Sequence, residues 1–253
     1  MQKLLQNKDF RISLIFSFIG LVASICAGVY QISTLTEGLK QQIISQLGSV
    51  EALIPIAAVQ GLLMTFIATL AGVKIARKVN LKLNFKFEKN ALVLAIIIAF
   101  ATALVITGSD RFIFARYLPS EITTYVFSPM YLITGVLYGG IIEEILLRLL
   151  VMSLLVLILW KLLAKSKSNL HIPNWIYITA ILLSSALFAA GHLPATEQLL
   201  GLSIPILVRC FVLNGVGGIG FGYLYWKKGL GYSMIAHTAT HVFMQTIFMP
   251  VLF

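Results

Sequence analysis

The chain has 253 residues, 59% of them hydrophobic and 11% charged, with a mean hydropathy of +0.95 and a formal net charge of +10. A water-soluble domain carries roughly 25% charged residues, so this composition excludes an ordinary soluble enzyme. The surplus of Lys and Arg does not mark a nucleic-acid binder either. It is scattered among short loops between apolar runs, where basic residues set membrane topology.

Seven apolar runs are long enough to cross about 30 Å of hydrocarbon: residues 12–30, 52–73, 91–107, 128–160, 174–191, 203–226 and 230–250. The start of the chain has the basic-then-apolar order of a signal peptide. Its apolar part, Ile12 to Tyr30, is long for one, and Ile25 before Cys26 spoils a lipoprotein-type cleavage box. It reads as the first membrane helix. Placing the N-terminus inside puts 3, 6, 3 and 2 Lys/Arg in the inner segments 1–11, 74–90, 161–173 and 227–229, or 14 of the 19. Only Lys40, Arg111 and Arg116 fall in outer loops. The expected fold is therefore an all-α polytopic bundle of about seven membrane helices, N-in and C-out. Three spans lie in residues 1–127 and four in 128–253. Both cysteines, Cys26 and Cys210, fall inside spans, so no disulfide framework is expected.

Several connecting stretches carry their own expectations. Residues 31–50 are moderately polar and suit an interfacial helix. Asn80 to Lys89 alternates apolar and polar residues, as a short ribbon or an interfacial segment would. The span 128–160 would make about 50 Å of straight helix, so it must tilt, protrude or break, and Gly139–Gly140 is a place to bend. Gly215 to Gly220, GVGGIG, has dinucleotide-fingerprint spacing but lies in an apolar span with no acid after it. Close helix packing explains it better, helped by Gly218 and Gly222 four apart.

The ionisable residues inside the spans carry the functional argument: Glu143, Glu144, Arg148, His192, Arg209, His237 and His241. Such groups are rare in membranes and face protein or a wet cavity. Glu144 and Arg148 are four apart and form a structural ion pair. Glu143 points about 100° away, beside Leu147, and needs a partner from another helix. His192, or His237 and His241, could supply one. Two histidines four apart share a helix face and could bind a metal, but the glutamate of a zinc-protease helix is missing between them. By helix rise, Glu143 lies about 22 Å from the outer edge and His237 about 20 Å. His192 comes out nearer the surface unless its span starts below the hydrocarbon. That choice implies that residues 191–198 leave helical form and line a wet cavity.

Three pieces in order, Glu143-Glu144-x-x-x-Arg148, Phe188-x-x-x-His192 and His237-x-x-x-His241, resemble the motifs of the CPBP family of intramembrane proteases. That family includes the CAAX prenyl proteases and bacteriocin-processing or immunity proteins. The resemblance spans residues 128–253; the N-terminal half adds only spans. It implies a multi-pass protein of the cell membrane, surrounded by lipid, that cleaves a membrane-proximal and in some members lipidated peptide. Glu143 would activate water with help from His192, while His237 and His241 would stabilise the oxyanion. No cofactor is required on that reading, although Glu143, His192, His237 and His241 could together ligate zinc. The family commonly has Asn or Asp where this chain has His241. Two other readings compete: a non-catalytic scaffold or immunity protein on the same fold, and a proton or metal transporter using the same residues.

Overall fold

The computed structural model describes residues 6–119, 124–164 and 171–253. Parts of two predicted inner segments, 1–5 and 165–170, lie outside the described residues, as do 120–123 of an outer loop. Among the described residues the chain is helical and contains no strand. Six helices are long and apolar enough to cross a membrane. The seventh expected span is also helical, but its histidines, threonines and Gln245 make it the polar member of the bundle.

The first helices pair through small residues. α1 (Lys8–Thr34) buries Ser13, Ser17, Gly20, Ala23, Ser24 and Gly28, and turns Leu14, Ile15 and Phe18 outward. Asn7 caps it by accepting from the Asp9 amide at 2.9 Å. A short exposed helix, α2 (Glu37–Leu47), follows with no buried residue, as expected of an interfacial segment. α3 (Leu53–Lys78) packs along α1 and buries Ala58, Gly61, Thr65 and Ala68, while its Gly72 faces Leu149. Without bulk between them the backbones approach closely, which is how helices associate where no hydrophobic force separates protein from solvent. Asp9 and Arg77 tie the start of α1 to the end of α3 through a two-pronged ion pair.

Residues 79–88 do not form the expected ribbon. Asn80 and Asn84 adopt positive φ (57° and 40°), and the Lys82 and Leu83 carbonyls accept from Leu230 and Gly231 at 3.0 and 2.8 Å. The alternating side chains thus wedge against the start of the last helix instead of pairing with a strand. α4 (Lys89–Ser109) lays Ala91, Ala95, Ala99 and Ala103 along one face. Irregular helical turns carry it on to Tyr117.

α5 (Pro129–Ala164) is capped by Ser128, with Pro129 in its first turn. The helix is not broken at the Gly139–Gly140 pair. The helix runs through in a wider register, hydrogen-bonded i→i+5 across Gly135–Met152. These glycines serve close approach: a Cβ on Gly139 would lie 2.6 Å from His241 Nε2, and one on Gly140 would collide with Thr238.

α6 (Asn174–Gly191) and α7 (Leu193–Leu200) are separated only at His192, so residues 191–198 remain helical, contrary to the sequence expectation. The wet lining they were expected to supply must come from side chains. α8 (Ile204–Lys227) packs on α6 with Gly218 against Ser185 and Gly222 against Ile181. The glycine run therefore serves helix contact, as expected. α9 (Leu230–Phe243), extended to Leu252 by two further helical turns, packs against α4, α5 and α8.

The described parts of the four predicted inner segments gather at one end of the bundle. Asp9 meets Arg77, Tyr177 Oη donates to the Val79 carbonyl at 2.9 Å, and Asn84 donates to the Lys228 carbonyl at 2.8 Å. Asp110 and Arg209 close the other end with paired contacts of 2.6 Å, which gives the intramembrane Arg209 its counter-ion.

Gly61 faces Ser24 and the Gly20 carbonyl, which would lie 2.8 Å from a new Cβ. Gly61→Ala should lower stability by about 1–3 kcal/mol through overpacking. Gly38→Ala, in open space on α2, should be neutral or stabilising by up to about 1 kcal/mol. Denaturation of the two variants in detergent checks the contrast.

Candidate active site

Three helices bring five of the intramembrane residues together: Glu143, Glu144, Arg148, His192 and His237. Glu144 on α5 is fully buried and touches three partners. Arg148 lies 3.1 Å away on the same helix, His237 Nδ1 is 2.8 Å from Oε1, and Ser233 Oγ meets Oε2. The expected pair is therefore part of a larger network. Arg148 is itself 1% exposed; its guanidinium reaches the Gly218 carbonyl at 3.3 Å and stands 4.8 and 5.5 Å from the rings of Phe188 and Phe221. Cation–π contact and the ion pair together offset the cost of burying a guanidinium.

Glu143 points to the other side of α5, as helical spacing requires, and finds the partners it needed. Its Oε1 is 3.9 Å from His192 Nε2, and its Oε2 is 3.9 Å from His237 Nε2. Those separations exceed a direct hydrogen bond and suit groups that share a small polar molecule between them. The side chain stays partly accessible, at 19%, whereas Glu144 beside it is sealed. Two adjacent carboxylates thus have opposite environments.

The histidines are fixed through their far nitrogens. His192 Nδ1 lies 2.9 Å from the Phe188 carbonyl, one turn back on α6. A carbonyl only accepts, so Nδ1 donates there. His237 Nδ1 faces the Glu144 carboxylate, which accepts in the same way. Each neutral ring therefore turns an unprotonated Nε2 toward Glu143. Phe221 stacks on His237 at 4.5 Å from one side, and His241 stacks at 5.2 Å from the other. Phe188 stands edge-on to His192 at 4.6 Å.

His241 is one layer removed. It contacts His237 by stacking and nests against Gly135 and Gly139, but makes no ion-pair contact with Glu143. Its Nδ1 is buried without a partner. Of the four residues expected to form the site, Glu143, His192 and His237 meet directly, and His241 backs them. Among the described residues no three His, Cys, Asp or Glu side chains are arranged to hold a metal ion. The zinc set of Glu143, His192, His237 and His241 therefore does not fit as a set, and no step below passes through a metal.

Sequence reasoning missed Ser233 and Phe221. Ser233 was within reach of it, since it precedes His237 by four residues on the face that carries His241. Phe221 had no such signal, because it reaches the site from α8 across the bundle.

These features define a class: a multi-pass helical membrane protein whose interior holds a carboxylate flanked by two oriented imidazoles. Residues 125–243 match the Rce1-like family, described as type II CAAX prenyl endopeptidase. The match covers just under half of the chain, including every site residue named above, and supports the resemblance to the CPBP family. The family so described is one of endopeptidases. Comparisons with curated proteins and with solved structures give no match.

Removing one member of the sealed pair strands a charge. Arg148→Met should cost about 3–5 kcal/mol, and adding Glu144→Gln to it should restore part of that loss. Thermal unfolding of the single and double variants in one detergent measures both.

Proposed function

We propose that the protein is a glutamic-type intramembrane endopeptidase in which Glu143 activates the hydrolytic water. The carrying observation is the approach of Glu143 to His192 Nε2 and His237 Nε2, both at 3.9 Å. A carboxylate and two unprotonated ring nitrogens present only acceptors to the space between them. A water molecule there can donate to Glu143 and to one imidazole, which aligns its lone pair for attack and draws off its proton.

Attack of the water oxygen on a peptide carbonyl forms the new C–O bond and moves the carbonyl π pair onto oxygen. The water's proton passes to the Glu143 carboxylate. A proton taken from solvent at His237 Nε2 before attack, and released again after collapse, makes that ring, clamped by Glu144, a donor facing the tetrahedral oxyanion. Collapse then breaks the C–N bond, and Glu143 returns its proton to the leaving amine. His192 assists in holding the water. His241 supports the ring plane of His237 by stacking. Glu144 is more than half of an ion pair on this reading: it fixes which nitrogen of His237 carries a proton and where the ring points, and so acts as a positioning residue. The work is placed in the cell membrane, on a membrane-associated peptide or protein.

The decisive experiment reconstitutes the purified protein with membrane-anchored peptides and sequences the new N-termini released. Wild type should produce them. Glu143→Gln should reduce the rate by at least about 10²-fold with an unchanged unfolding temperature, and a chelator should leave wild type active. Cleavage by Glu143→Gln at the wild-type rate would remove the proposal. Substrate-dependent ion flux without products would support the transporter reading instead.

A further inference from the structure

A cavity of about 390 Å³ lies between the N-terminal pair α1/α3 and the outer half of the catalytic region. Its core-side wall continues the two catalytic faces by one turn. Tyr138 precedes Glu143 by five residues in the i→i+5 register of α5. Ala195 and Gln198 follow His192 on α7. The opposite wall comes from α1 and α3, outside the residues matched to the family.

The lining has an unusual chemistry for a membrane interior. It contains amide, hydroxyl and small apolar groups, and no Asp, Glu, Lys, Arg or His. Gln60 projects from α3 seven residues past Leu53, about 10 Å into the span. Gln31 and Gln198 approach from α1 and α7. The amides of Gln31, Gln60 and Gln198 are open to the cavity, and the buried Thr134 Oγ1 has no partner. Gln60 lies within the span, where an amide open to a cavity is best satisfied by a ligand that both donates and accepts.

We propose that this cavity binds the polypeptide segment next to the scissile bond, and that it selects an uncharged, extended segment. The inference rests on the peptidase reading for its occupant, while the site itself is defined by the walls. A helical segment has already spent its N–H and C=O groups internally and offers the amides nothing. An extended one exposes them sideways, in the manner of strand addition. A charged side chain in the cavity would meet no counter-ion and would have to shed its water. Because α1 and α3 supply Gln31 and Gln60, the N-terminal half acts in substrate choice as well as in anchoring.

The test uses full-length protein carrying Glu143→Gln, so that cleavage does not consume the probe, in lipid nanodiscs. The probe is a dansylated, acetylated and amidated nonapeptide of alanine, valine and threonine, compared with versions carrying a central lysine or aspartate. Saturable binding of the neutral peptide is expected, with each charged version at least about tenfold weaker. Ala57→Phe, which fills the cavity, and Gln60→Leu, which removes one amide, should each weaken the neutral peptide by about tenfold or more at unchanged unfolding temperature. Equal binding of charged and neutral probes, no saturable binding, or binding indifferent to both substitutions would overturn the proposal. A probe that binds as expected but is never cut by the wild type would count against the peptidase reading alone.

Discussion

The structure depends on one buried electrostatic arrangement: the Glu144 carboxylate held between Arg148, His237 and Ser233 in a medium without water. Neither charge could be there alone, since an isolated ion in hydrocarbon is far more costly than a satisfied one. Their mutual presence allows α5 and α9 to cross with polar groups between them. It also binds the two helices in one register, because His237 can reach Glu144 only when Gly139 and Gly140 face His241 and Thr238. The same contact decides where the working edge of His237 points. Packing and chemistry are thus set by a single group of side chains.

Around that centre the bundle follows the rules of a lipid solvent. Small residues face inward, so the helices come close, and large apolar side chains such as Phe18, Ile67 and Leu182 face outward. Ion pairs close both ends, Asp9 with Arg77 and Asp110 with Arg209. The region matched to the family carries the candidate site, and the α1/α3 pair leans against it along α5. Packing is continuous across the division at residues 127 and 128 expected from the sequence, because α3 and α5 are in extensive contact.

Much of the architecture was legible because hydropathy is a property of local sequence. The spans at 174–191 and 203–226 were placed within a few residues of α6 and α8, and the spacing of Glu144 from Arg148 gave their contact directly. Glu143's need for a distant partner was also readable, from the lack of a charge one turn on. What the sequence could not carry was which distant partner each group would take. His237 divides its two nitrogens between adjacent glutamates, a result of how α9 crosses α5 that no spacing encodes. Residues 191–198 were expected to unwind because His192 lay too high in a helix started at the membrane edge. A single non-ideal junction at His192 sufficed, and the helix resumed. The alternating residues 80–89 misled in the opposite way, since period two records which side chains touch a neighbour and not whether that neighbour is a strand.

The tautomers of the two facing imidazoles have a consequence of their own. With Nδ1 of His192 engaged by its own helix and Nδ1 of His237 engaged by Glu144, both rings show the cleft the same nitrogen. Any small electrophile that enters would meet a matched pair of nucleophilic edges, and adducts would form at one ring position on both residues. The protein backbone and a sealed carboxylate have thus imposed regiochemistry on two side chains that are chemically symmetric enough, in free solution, to react at either end.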